Sequence, residues 1–587
     1  MDNLKELKSA LDSSAGGVSD DEDRLILALD FGTTFSGVSY AFTNDPEKIY
    51  TIDSWPGATD RIVPKTPTEI QYTAGKFKWG YELEGTLEDK IIGLKLLLDP
   101  DQKRPYWIPT DPGAEIAKLP KPVVEVAADY IKAVFQHALA EVEKGYLPGF
   151  LDGFKKQHVL TVPAVWSDTA KAMTERAARM AGVSPIDMIT EPEAAALFTL
   201  RTMKDKGLKD GDVIVICDAG GGTVDLVSYE IVSLTPFEVK GSTVPSGGAL
   251  GSLMLNRSFE ELIRQTVGEE AFVSLKKTEG YRSALREFDA AHKLSFRGPR
   301  DSDRYVNFPM ANLKDNKAKG LVKNCMTLTG QTMFRIFDPI IQEIVKLVVE
   351  QVRDVQIKRL ESKHKNGSDV KAVFLVGGFG ASAYLKECIQ AANPDIMVVQ
   401  PKEAWSAIAR GAALSKLPLG PSIPQVISTR ATKHYGVLYH MAWDPIRDKG
   451  QPKVQFKHWP GDRCQLMRWY INKEDELNRG EKYRYEFSRN FSLNPEPEEL
   501  EVTDNLEECT SVRAPVHPND TIDIKKNCTL TVDLAKVPKS FFKVREADGK
   551  QHSRIRYSLI LENLPSGLMK FALEVGGKEY AAVEAKY

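Results

Sequence analysis

ALDFGTTFSGVSYAF (28–42) and ICDAGGGTVDLVSYEI (216–231) decide how this chain is read. Each leaves an apolar strand through an Asp, turns through glycine and threonine, and runs on through Val-Ser-Tyr. With one inserted residue the two superimpose, and Asp30 and Asp218 stand 188 positions apart. Gly32, Gly220, Gly221 and Gly222 lack a Cβ, so backbone N–H groups at these turns can close on phosphate oxygens. Thr33, Thr34 and Thr223 add hydroxyl donors. Asp30 and Asp218 sit where a strand enters its turn. A carboxylate placed there can hold Mg2+ through water, because Mg2+ keeps several waters beside phosphates. D-F-G-T-T or G-G-G alone is an ordinary turn. The same arrangement twice predicts two facing hairpins that clamp a polyphosphate from both sides.

Around these hairpins, continuous apolar runs alternate with helical patterns. LILALDF (25–31), HVLTVPAVW (158–166), DVIVICDA (212–219) and KAVFLVGG (371–378) suit strands buried on both faces. Residues 122–146, 168–182 and 337–361 read as amphipathic helices, the second starting on an Asp168 N-cap and stopping at Gly182. Strands alternating with helices predict an α/β architecture. The texture changes at LPLGPSIPQ (417–425). Beyond it period-2 patterns dominate, and Gly576-Gly577 between two of them signals a tight hairpin. The expected divisions are a disordered polar, acidic tail (1–24), an α/β domain (25–416), a Pro-rich, Gly-containing linker (417–424) and a smaller antiparallel β-domain (425–587).

Composition narrows the class. At roughly 100–200 residues per domain, 587 residues make about three or four domain-sized units. Charged residues at 27% and hydrophobic residues at 42% exclude wholesale disorder, and a net charge of −3 gives none of the basic excess of a duplex binder. No apolar run approaches the roughly 18 residues of a membrane span, and the first residues lack the apolar core of a secretory signal. The six cysteines include no C-x-x-C pair, so their spacing predicts neither a disulfide framework nor a zinc site. The expected compartment is the cytoplasm, or the nucleus.

Two further segments follow in order: ITEPEAAALFTL (189–200), with Glu191-Pro192 opening a small-residue helix, and VFLVGGFGASAYLKECI (373–389), a strand, a Gly-Gly turn and a helix. Together with LTVPAVWSD, AIARGAAL and the two hairpins they closely resemble the nucleotide-binding domain of the seventy-kilodalton heat-shock (DnaK-like) chaperones, in the actin-like ATPase superfamily. The resemblance covers about 25–416. It implies a two-lobed ATPase of duplicated ribonuclease-H-like mixed sheets, with lobes of about 25–212 and 213–416 and MgATP between them. Carried over by position, Asp30, Gly32, Thr33, Thr34 and Phe35 form the first phosphate loop, and Gly220, Gly221, Gly222 and Thr223 the second. Gly247, Gly248, Lys293, Gly377, Gly378 and Phe379 fall on nucleotide-binding positions. Lys95, Glu191, Asp218 and Asp225 fall on catalytic ones, and Asp30 and Asp218 on the Mg2+ ligands. Slow hydrolysis of ATP to ADP and phosphate, coupled to protein clients or co-chaperones, is the implied activity.

The sequence also departs from that family. Ser252, Leu253 and Met254 replace a glycine and an acidic pair; Trp405 stands near an expected Asp; FDAAHKLSF (288–296) offers only His292 and Lys293. LPLGPSIP replaces the acidic, leucine-rich linker, and no lid-like helical pattern follows the β-domain. The alternatives are a nucleotide-binding signalling or scaffold protein with little hydrolysis, or a carbohydrate kinase of the same superfamily.

Overall fold

The computed structural model describes residues 23–586, apart from 60, 74–75, 87–89, 100–111, 204–206, 363–369, 419, 421–422, 457–458, 548–549 and 583. The expected tail, but for its last two positions, lies outside the described residues. Two mixed sheets form the centre. The first runs Tyr50–Thr51, Phe35–Phe42, Arg24–Asp30, Lys155–Val162, Ile186–Thr190. The second runs Phe237–Gly241, Val224–Leu234, Val213–Ala219, Val370–Val376, Met397–Val399. In both, the first three strands in the chain form an antiparallel meander and the last two run parallel to the first. The duplication visible in two hairpins is thus present in strand order as well.

The apolar runs are continuous because each strand serves two cores. Leu25, Leu27 and Leu29 face the Val123–Lys144 and Asp168–Met180 helices, while Ile26 and Ala28 face a middle core. Val213, Val215 and Cys217 pack with the Gly330–Glu361 helix, while Ile214 and Ile216 enter the same middle core. That core holds two small-residue helices, Glu191–Met203 and Ala407–Leu414. Their backbones touch: a Cβ on Gly411 would fall onto the Ala194 carbonyl.

Two helix boundaries differ from expectation. Ser167, not Asp168, is the N-cap, its Oγ accepting from Ala170 N at 3.1 Å. Asp168 occupies the first turn and turns its carboxylate elsewhere. The helix expected from 337 begins at Gly330, because Thr329 Oγ1 accepts from Thr332 N at 3.1 Å and caps it there.

After Leu417 the chain does not leave the α/β body. Leu417 and Ile423 are buried in the middle core. Gln425–Arg430 pairs parallel with Phe237–Gly241, and Glu476–Asn478 adds a further antiparallel strand. Hydrogen bonds therefore cross the position expected to open a separate domain. The remaining strands form two antiparallel sheets around one core that includes Tyr435, Leu506, Leu530, Leu559 and Phe571. Gly576 and Gly577 (φ 59° and 80°) make the expected tight hairpin between Met569–Val575 and Lys578–Ala582. This sandwich docks on the first sheet's helices. Asp168 accepts from Tyr435 Oη at 3.0 Å and Asn527 Nδ2 at 2.6 Å, and pairs with Lys433 at 3.0 Å. Leu564 and Leu568 pack into the core between the first sheet and its helices. Among the described residues no helix is long and apolar enough to cross a membrane.

A helical Gly→Ala change ordinarily gains about 1 kcal/mol. Here Gly411→Ala is expected to do the reverse and destabilise by about 1–3 kcal/mol, the range for overpacking. A thermal-unfolding midpoint at or above that of the wild type would refute the contact.

Candidate functional site

Asp30 ends one central strand and Asp218 nears the end of its counterpart. The turns that follow meet. A Cβ on Gly222 would lie 2.5 Å from Thr33 Oγ1, and one on Gly221 would overlap the Thr34 hydroxyl. The two hairpins therefore interlock at their tips, and only glycine on the second side permits it. Residues 251–253 lie on the back of the second turn, where Gly251, Ser252 and Leu253 donate to the carbonyls of Gly222, Gly220 and Gly221 at 2.9–3.1 Å. Ser252 and Leu253 therefore act through their backbones.

Four carboxylates converge behind the turns. Asp30, Glu191, Asp218 and Asp225 are all buried, at 1–7% exposure. Burial pushes Asp218 well above the usual carboxylate range, and the charges of Glu191, Asp225 and Asp30 push it further. Burial also raises Asp225, opposed by Thr223 and by the Val165 N–H, which donates to Asp225 Oδ1 at 3.2 Å. Glu191 is pushed up to about 7, by burial first, with Lys95 opposing and Asp30 and Asp225 adding to it. Asp218 Oδ1 and Asp225 Oδ2 are buried and accept no hydrogen bond. Orphaned anionic oxygens facing other carboxylates fit a divalent cation.

Two lysines reach into this charge. Lys95, 2% exposed, donates to Glu191 Oε1 and lies 5.4 Å from the centre of the Trp166 ring. Lys65 donates to Asp30 Oδ2 at 2.5 Å, while Thr161 donates to Asp30 Oδ1 at 3.5 Å. Lys65 escaped the sequence reading because PKTPT (64–68) carries no glycine or acidic signal. Its context is visible only in three dimensions. Thr68 N donates to Thr34 O at 2.7 Å and Thr68 Oγ1 to Gly32 O at 2.8 Å, so this segment backs the first turn.

The other expected positions divide. Gly247 pairs with Asp225 and Gly248 with Val224, placing both beside the second turn. Gly377 (φ 80°) sits where a Cβ would overlap Asp218 Oδ1, so both its conformation and its surroundings demand glycine. A Cβ on Gly378 would meet the Trp405 ring at 3.7 Å, and that ring packs edge-on against Phe35 at 5.9 Å. Trp405 thus joins the first turn to the Gly377 turn. Phe379 packs in the core between the second sheet and the Gly330–Glu361 helix at 2% exposure. Lys293 is tied to Asn256 at 3.0 Å and to Asp289 within its own lobe.

The raised Glu191 makes a pH prediction. Its folded state binds the proton more tightly than the unfolded chain, so stability falls as pH rises from about 4.5 to about 7. Lowering pH from about 7.5 to about 5 should stabilise the wild type over Glu191→Gln by roughly 1–3 kcal/mol. Parallel pH profiles for the two proteins would refute it. Lys65→Met leaves Asp30 buried without its partner, a loss of about 3–5 kcal/mol in chelator. Mg2+ should then raise its melting temperature by more than it raises the wild type's; an equal or smaller rise would show that Lys65 does not compete with a cation.

Comparison with known proteins agrees with this geometry. The family model described as "Hsp70 protein" matches residues 123–422, just over half of the chain. Heat shock 70 kDa protein 12A of Homo sapiens is 26% identical over 510 residues, covering 70% of this chain and 72% of the relative. Heat shock 70 kDa protein 12B of Homo sapiens is 24% identical over 511 residues, 70% and 71%. The chaperone protein DnaK of Methanothermobacter thermautotrophicus is 28% identical over 232 residues, 39% of this chain and 35% of its own. With duplicated sheets, interlocked glycine turns and a family match over half its length, the chain belongs to the Hsp70 family of nucleotide-binding, chaperone-like proteins.

Proposed function

We propose that this protein is a slow, chaperone-type ATPase that binds MgATP between two actin-like, ribonuclease-H-like lobes. Its nucleotide state would set the affinity of the β-sandwich for a protein client. The observation that carries the reading is the meeting of Asp30, Glu191, Asp218 and Asp225 with two lysines behind two interlocked glycine turns. In it, the backbone N–H groups of Gly220, Gly221 and Gly222 and the hydroxyls of Thr33, Thr34 and Thr223 hold the phosphate chain. Asp30, Asp218 and Asp225 would hold Mg2+, which when bound would offset phosphate charge. Lys95 releases Glu191 and turns its ammonium to the γ-phosphate. Water attacks phosphorus in line, the bond to ADP breaks, and Glu191 takes the water's proton. A carboxylate pushed up to about 7 is suited to that task. Gly377 and Gly378 give the nucleoside a flat backbone to lie on.

Coupling to the sandwich has a short route in this reading. Glu193, two residues after Glu191, accepts from Arg479 at 2.6 Å, just beyond the strand that the C-terminal segment adds to the second sheet. A shift of the Glu191 helix on nucleotide exchange is felt at Arg479 directly.

A second reading, a nucleotide sensor with little turnover, draws on Lys65. An ammonium already sits on Asp30, where the ATPase reading needs a metal ligand. Single-turnover measurement separates the two, using labelled ATP, excess protein and Mg2+. The ATPase reading expects bound ATP to yield phosphate, and Glu191→Ala to bind normally but slow hydrolysis by roughly 100-fold or more. Persisting bound ATP would select the sensor. Absence of nucleotide binding, or binding that Asp30→Asn and Asp218→Asn leave unchanged, would refute both.

A further inference from the structure

Far from the carboxylate site, three segments of the sandwich bring Asp448, Cys464 and His517 together. Asp448 lies in the loop after the His434–Ala442 strand, Cys464 in the Trp459–Ile471 strand, and His517 in the connection between Glu501–Cys509 and Ile524–Asp533. All three are buried, at 0%, 1% and 5% exposure, and one ligand atom of each lies within 4.8 Å of the others. The spacing of 448, 464 and 517 matches no metal motif in sequence. The cluster appears only because Met441 pairs with Cys464 across the sheet and because the 515–517 segment folds back onto the same strand. That return is fixed by Met467 N donating to Val516 O at 2.9 Å and Trp469 Nε1 to Pro515 O at 2.7 Å.

We propose that Asp448, Cys464 and His517 are a zinc site. One thiolate, one imidazole and one carboxylate suit a borderline-soft, tetrahedral cation and do not suit Mg2+ or Ca2+. Three protein ligands leave a fourth position for water or an external donor. Supporting groups of the kind that orient zinc ligands are in place. Arg447 grips Asp448 through Nε at 2.7 Å and Nη2 at 2.6 Å, and the Asp444 N–H donates to Asp448 Oδ2 at 2.8 Å. Asp520 Oδ2 lies 3.4 Å from His517 Nδ1 and is itself held by the His517 N–H at 2.9 Å. His517 Nε2 faces Asp448 Oδ1 at 2.8 Å. Carboxylates thus face both ring nitrogens, whereas a neutral imidazole has one N–H to give. Zinc resolves the conflict. The ring proton moves to Nδ1, where Asp520 accepts it. Nε2 and the Asp448 oxygen both turn to the metal, and Cys464 forms the Zn–S bond as its thiol proton leaves to solvent. The thiolate, Asp448 and Asp520 together offset the charges of the ion and Arg447, and three separate segments are stapled at one end of the sandwich. Roughly 20 Å of strand lies between this point and Tyr435 at the docking surface.

The test uses untagged full-length protein stripped with chelator, then titrated with Zn2+ and separately with Co2+, with Mg2+ in excess to occupy the carboxylate cleft. The expected result is one tightly bound zinc per chain and, with Co2+, a thiolate-to-metal charge-transfer band. Cys464→Ser should abolish that band and His517→Ala should lose stoichiometric zinc, with folding followed by circular dichroism. Asp520→Asn, whose amide oxygen can still accept the Val516 and His517 N–H groups, should weaken zinc by roughly 10–100-fold. No stoichiometric zinc in the wild type, or a charge-transfer band that survives Cys464→Ser, overturns the proposal. So does unchanged affinity in Asp520→Asn.

Discussion

Like charges brought together out of water repel one another and lose their solvation, and proteins hold them there only against a counter-charge. Asp30, Glu191, Asp218 and Asp225 are in that position. Of the two lysines that answer them, Lys95 was expected from the resemblance, while Lys65 comes from a segment of no evident importance in the sequence. The glycines at 221 and 222 let the two turns interlock against Thr34 and Thr33, and the one at 377 lets backbone approach Asp218. The small-residue helices behind them let the two sheets come close enough for the carboxylates to meet. Loop, helix and sheet are thus arranged around an electrostatic problem that a bound cation would resolve.

Much of this was legible in the chain, and the reason is repetition. One Asp-glycine-threonine turn after a buried strand carries little information, but two carry a fold. The apolar strands were legible because burial on both faces favours apolar residues throughout runs such as 213–217, ahead of Asp218. What could not be read were contacts made by residues with ordinary neighbours. Lys65 looks like a surface lysine until the 64–68 segment is seen behind the first turn. Asp168 looked like an N-cap, because an Asp at a helix start usually is one. Ser167 takes that role, which releases the Asp168 carboxylate for Lys433, Tyr435 and Asn527.

The same limit applied to Cys464. Spacing rules find metal sites whose ligands come in local pairs. They are blind to ligands on a strand, a loop and a long connection that only sheet register unites. The prolines and glycine of 417–424 read as a linker, and within it Leu417 and Ile423 are core residues followed immediately by a strand.

That strand has a further consequence. Gln425–Arg430 covers the outer edge of Phe237–Gly241, and Glu476–Asn478 covers Gln425–Arg430 in turn. If the sandwich moved away and took these strands with it, a row of free N–H and C=O groups would be exposed along the second sheet. Open edges of this kind invite pairing with any extended chain, including another copy. The two strands contributed after residue 424 thus leave only the short Glu476–Asn478 strand at that end of the sheet. Any undocked state of this protein must either keep the Gln425–Arg430 strand behind or find a substitute for it.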